Sequence, residues 1–125
     1  MQYPITYWFG TRKEFIYRAD GSLATEEIDR VKNAGFTLML AEFDVKTNKL
    51  VLEAAAERGL QVMVSDHRID KARYERDNMR EYLAAVVADY AGYPALFGYH
   101  IVDEPNASVF DTLAAIRKIL AELDP

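Results

Sequence analysis

Apolar positions along this chain alternate between two kinds of segment. Four short runs are dense in β-branched and aromatic residues, as strands require: Ile5 to Phe9, Thr37 to Phe43, Gln61 to Asp66 and Leu96 to Val102. Between and after them, apolar residues recur at helical spacing. A first helix is expected from about Thr25 to Ala34, with Thr25 as cap and Gly35 marking its end. A second is expected from about Thr47 to Arg58, burying Leu50, Val51, Ala54 and Ala55, and closed by Gly59. Asn78 and Glu81 have capping-box spacing and open a third helix with Met79, Leu83, Val86, Val87 and Tyr90 on one face. Ser108 and Asp111 start a fourth, striped by Val109, Leu113, Ile116, Leu120 and Leu123. The polar run Asp70 to Asp77 reads as a solvated loop.

The order is strand then helix, four times over, with short joints at Ala34-Gly35-Phe36 and Arg58-Gly59-Leu60. Such an order argues for an α/β fold of parallel strands joined by right-handed crossovers. No linker or low-complexity stretch divides the chain, so residues 1–125 are read as one domain. Half of the 125 residues are apolar, enough for a core. The net charge of −5 is spread without a basic block, which disfavours nucleic acid and anionic membranes as partners. No cysteine is present, which excludes disulfides and thiolate metal sites. Neither a leader pattern nor a bilayer-length apolar stretch occurs, so the chain as given is expected to be cytoplasmic unless a signal peptide was removed.

One stretch carries chemistry. Tyr93-Pro94-Ala95-Leu96-Phe97-Gly98-Tyr99-His100-Ile101-Val102-Asp103-Glu104-Pro105-Asn106 delivers an acid at the C-terminal mouth of a strand, the rim where parallel α/β folds bind ligands. It resembles strand four of the large retaining clan of TIM-barrel glycoside hydrolases that includes many β-galactosidases and cellulases. There, a Pro-Ala-Leu/Val-Gly approach leads to Asn-Glu-Pro. The aromatic opening Tyr7-Trp8-Phe9-Gly10, the close Asn33-Ala34-Gly35-Phe36 and the phrase around Arg58-Gly59-Leu60 are similar too, so the resemblance spans essentially the whole chain as the N-terminal half of a barrel.

The resemblance implies that Glu104 is the general acid/base that protonates the glycosidic oxygen. Asp103 stands where the clan has an Asn that hydrogen-bonds the sugar; an Asp accepts such a bond but donates none. The clan's nucleophile, a second Glu at the end of strand seven, has no counterpart in four units. The expected function is therefore that of a hydrolase half-barrel, inactive or weakly active alone, with a carbohydrate as its ligand. Around the same rim His67, His100 and Glu42 are candidate sugar-hydroxyl ligands, and Trp8 a candidate stacking platform. Each also has a plainer reading, as a loop hydrogen-bonder, a packing aromatic or, for Glu104, a solvated acid at a helix start.

Four alternatives stand beside this one. Asp66, His67, His100, Asp103 and Glu104 are metal-capable, yet they lack the tight spacing of a metal motif, and no metal is expected. The glycines form neither a P-loop nor a dinucleotide turn, so no cofactor is expected. An open flavodoxin-like sheet would suit the same periodicity. Eight βα units close a TIM barrel of roughly 250 residues. Four units leave two strand edges and an apolar inner face, so the chain is expected to self-associate, two copies closing one eight-stranded barrel. Without chemistry, the same half-barrel would be a structural self-associating module.

Overall fold

Leu38-Met39-Leu40-Ala41 forms the first strand, β1, with all but Leu40 buried. The computed structural model describes residues 4–7 and 13–125. Among them it is mixed α/β, with a three-stranded parallel sheet and six α-helices: α1 Lys13–Ile16, α2 Thr25–Asn33, α3 Val45–Glu57, α4 His67–Tyr74, α5 Met79–Tyr90 and α6 Phe110–Leu123. The strands β1, β2 Gln61–Val64 and β3 Leu96–Tyr99 are the second, third and fourth of the expected runs. Each is shorter than expected, because the residues after it turn to cap or lead into a helix. The chain divides into two compact units, Met1–Val64 with Tyr93–Tyr99, and Ser65–Gly92 with His100–Pro125.

The first unit contains the sheet, ordered β1-β2-β3. β1 and β2 pair in parallel from Leu38↔Gln61 to Ala41↔Val64. β2 and β3 pair in parallel too, but Val62 faces Leu96 and Met63 faces Gly98, so Phe97 is an extra residue bulged out of the ladder. Of the first expected strand, Pro4–Tyr7 form none; Ile5 O instead accepts from Thr37 N (3.0 Å) and Leu38 N (3.2 Å) beside the start of β1. Trp8 and Phe9 lie outside the described residues.

Helix α3 shows how the local sequence builds this unit. It starts two residues earlier than expected, because Asp44 caps it: the Asp44 carboxylate accepts from Thr47 N at 3.0 Å and from Thr47 Oγ1 at 2.9 Å. Thr47 Oγ1 also meets Tyr17 Oη at 2.7 Å. Fully buried Asn48 exchanges two 3.1 Å hydrogen bonds with the backbone of Phe43, one accepted and one donated, and so fixes the loop from β1. Val51, Leu52, Ala54 and Ala55 are buried, whereas Leu50, expected inside, is half-buried. At the far end Gly59 takes φ +63° and Leu60 N reaches back to Ala55 O at 2.9 Å, a left-handed close. Helix α2 is not capped by Thr25, which is its first helical residue; Ala24 precedes it and supplies no side-chain bond.

The second unit is helical. Residues Asp70 to Asp77, expected as a loop, are mostly the helix α4 followed by a 3₁₀ turn, Arg76–Asn78. The cause is a cap plus a narrow apolar face: Asp66 accepts from Arg68 N, while Ile69 and Ala72 are buried among polar neighbours. Asn78 makes no capping bond to α5, whose face Met79, Leu83, Val86, Val87 and Tyr90 is buried as its periodicity predicted. Arg80 bonds Glu122 of α6 at 2.8 Å, and Arg76 donates to buried Thr112. Asn106, rather than Ser108, caps the turn Ala107–Val109 that leads into α6.

The Asp44 cap is local to α3, so its loss is expected to weaken the fold without altering the sheet. Asp44→Ala should cost about 1 kcal/mol in urea unfolding. A midpoint equal to that of the unaltered chain would show that the cap is not a stabilising contact.

Candidate functional site

The residues singled out in the sequence occupy different surroundings. Glu42 follows β1 directly and is exposed, in the first unit. His67, His100, Asp103 and Glu104 belong to the second unit. Trp8 lies outside the described residues. His100 is half-buried just after β3 ends, while Asp103 and Glu104 are exposed. His67 is the first residue of α4, with its side chain 68% exposed.

The strand-four segment departs from regular alternation before it reaches Glu104. The bulge at Phe97 interrupts the two-residue period, and the strand stops at Tyr99. Residues 100–104 therefore lie beyond the strand, with no strand alternation to set which way their side chains face. Glu104 itself takes φ +41°, in the left-handed region, immediately before Pro105. Its carboxyl is exposed, and no hydrogen bond joins it to Asp103, His100 or His67 among the described residues.

A built polar centre lies instead at Asp66, one residue before His67. Its side chain is 1% exposed. Oδ1 accepts from Arg68 N and Arg68 Nε, both at 2.9 Å. Oδ2 accepts from Arg68 Nη2 and from the hydroxyl of buried Tyr90, both at 2.8 Å. Arg68 in turn donates from Nη1 to Asp89 at 2.7 Å. His67 Nδ1 stands 3.6 Å from Asp66 Oδ1, beyond hydrogen-bond reach.

The electrostatics follow from this geometry. Burial pushes the Asp66 carboxyl up, but the Arg68 guanidinium and amide and the Tyr90 hydroxyl outweigh it and hold the acid below its ordinary range. Hydrogen bonding to Asp66 raises Arg68 in spite of partial burial, with Asp89 adding to the effect. The Asp66 carboxylate has about four acceptor positions, and all are used. Saturated in this way, Asp66 holds α4 to the end of α5 and has no lone pair left for a substrate or a metal. From sequence His67 is the sugar-ligand candidate at this rim and Asp66 is only metal-capable. The signal available was the Asp-x-Arg spacing directly after a strand, which suits a capping carboxylate folded onto its own guanidinium.

A cleft of about 430 Å³ opens at the turn between α4 and α5, lined by Tyr74, Glu75, Arg76, Asp77 and Asn78. None of the sequence-selected residues lines it. Among the described residues no three His, Asp or Glu side chains gather closely enough to hold a metal ion. No described helix is long and apolar enough to cross a membrane. No protein-family model, curated protein or solved structure matches the chain.

Breaking the Asp66 centre from one side leaves Arg68 buried beside Asp89 alone. Asp66→Ala is expected to destabilise the chain by about 3 kcal/mol at neutral pH. Because the folded carboxyl lies below its unfolded value, its contribution is complete above the unfolded pKa near 3.8 and is lost as pH falls through the lower folded value. Stability measured against pH should therefore fall less steeply on the acid side in the variant than in the unaltered chain. Parallel acid limbs would remove Asp66 as the coupled group.

Proposed function

We propose that this chain is a (βα)4 half-barrel related to the retaining TIM-barrel glycoside hydrolases, with Glu104 as its acid/base group and the nucleophile half absent. The observation that carries the reading is the sequential parallel pairing β1-β2-β3, with a helix after every strand and Glu104 a few residues beyond the last strand. Parallel order without reversal is how the consecutive strands of a barrel run. The Asp103-Glu104-Pro105 signature then stands after the strand that would be the barrel's fourth. Asp103 supplies an acceptor for a sugar hydroxyl. Alone, the half-barrel is inactive or slow, because a retaining hydrolase needs a second carboxylate about 5–5.5 Å from the first.

Two copies of the chain would complete a barrel by joining strand edges. In support, β3 is an edge of the sheet among the described residues, none of its residues is buried, and Phe97 on it is 46% exposed. The same exposure favours a second reading, a self-associating module without catalysis. In that case the solvated carboxyl of Glu104 is only a rim charge.

Turnover of a panel of aryl glycosides separates the two. The hydrolase reading expects slow release that falls about 100-fold in Glu104→Gln for poor leaving groups, and much less for activated ones, which need no proton. Equal background in both proteins, whatever the leaving group, would leave the module reading in its place. Light scattering across a range of concentrations is expected to give twice the chain mass; a monomer throughout would remove the closed dimer.

A further inference from the structure

Tyr74 is the last residue of α4, and at 79% exposure it is the most exposed large apolar or aromatic residue among those described. Its ring packs into no core. The ring is nevertheless held: the Arg73 guanidinium lies over it, 5.3 Å from the centroid, and is itself fixed by a 2.6 Å ion pair to Asp70. A cation over one face steadies an exposed ring and leaves the other face to solvent.

This ring stands at the cleft of about 430 Å³ that Glu75, Arg76, Asp77 and Asn78 also line. Sites for small ligands span roughly 300–1,000 Å³. The turn that carries the cleft is anchored on two helices, since Tyr82 of α5 donates to Glu75 Oε2 and Arg76 donates to Thr112 of α6. By contrast, the Asp77 carboxylate and the Asn78 amide make no hydrogen bond or ion pair among the described residues. Arg76 has five N–H donors and uses one on Thr112. The cleft thus combines a steadied aromatic face with donors and acceptors that the fold leaves open.

The charges decide the ligand class. Glu75 and Asp77 are balanced by Arg73 and Arg76, so neither a phosphate nor an ammonium meets a field of opposite sign. A cationic ligand is disfavoured further because Arg73 already lies on the ring and would repel it. What fits is a neutral molecule with a flat apolar face and several hydroxyls: the ring covers its C–H face, and carboxylate and amide accept from and donate to adjacent hydroxyls. We propose that the Tyr74–Asn78 cleft is a sugar-binding site, with Tyr74 as stacking platform and Asp77 and Asn78 as hydroxyl ligands. No residue of the strand-four signature lines it, and the sugar class is drawn from the cleft's own groups, so the site stands or falls apart from the hydrolase reading.

Methyl β-glucoside and methyl β-galactoside titrated into the ¹⁵N-labelled full chain test the site. Saturating shifts grouped at residues 73–78 are expected with at least one of them, at about millimolar affinity for so small a ligand in an open cleft. Tyr74→Ala should weaken binding about tenfold and Tyr74→Phe should restore it, while Asp77→Ala should weaken it about fivefold. Both alanine variants should unfold in urea close to the parent midpoint, so that lost binding is not lost folding. Glu104→Gln should bind at the cleft as the parent does, whatever its effect on aryl-glycoside turnover; loss of the cleft shifts in that variant would merge the two sites and overturn the proposal. No saturating shifts with either glycoside, or shifts only outside residues 73–78, overturn it as well. Parent-like binding by Tyr74→Ala overturns the platform. Adenosine makes the same stacking demand with a different edge, and shifts at 73–78 with adenosine alone overturn the sugar class.

Discussion

A buried carboxylate must find its hydrogen bonds within the protein, and the helical unit is organised around how Asp66 does so. A single acid caps α4 through Arg68 N, accepts two further bonds from the Arg68 side chain, and takes the hydroxyl of Tyr90 at the end of α5. An unpaired charge in that position would cost several kcal/mol; a satisfied one specifies which ends of two helices meet. The same requirement turns residues 67–74, poor in apolar content, into a helix. With the first turn capped, burial of Ile69 and Ala72 suffices.

The sheet unit meets the same demand by local means. Asp44, Thr47 and Tyr17 form one chain of hydrogen bonds at the start of α3, and Asn48 satisfies both backbone groups of Phe43. Gly59 then closes the helix in a conformation that costs a glycine little, and β2 begins two residues later. Polar side chains therefore set where each element starts and stops, and apolar ones set which face is buried. The two roles are separable, which is why losing a cap weakens a helix without redirecting it.

At Glu104 the relation between residue and backbone is reversed. Elsewhere among the described residues a left-handed backbone is matched by glycine; here an exposed acid occupies it. The positive φ at Glu104 falls immediately before Pro105, whose ring disfavours a right-handed backbone for the residue preceding it. The saturated Asp66 centre, built equally well, points to no chemistry at all.

Periodicity alone determined the α/β class, the three paired strands and the buried faces of α3 and α5, because burial imposes repeats of two and 3.6 that survive without knowledge of the fold. The glycine closes at Gly35 and Gly59 were legible for a similar reason, since positive φ selects a residue type. Other features came only from the tertiary structure. Capping depends on which of several polar residues turns back toward the first helical turn, and so Asp44 caps a helix expected to begin only near Thr47, and Asn106 acts where Ser108 was expected. The bulge at Phe97 arises in the pairing of two strands distant in sequence, and β3 ends at Tyr99, before His100. Asp66 looked like one rim acid among several. Only the approach of Tyr90 and the folding back of Arg68 made it the buried centre of its unit, because a carboxylate's role is decided by the donors that surround it.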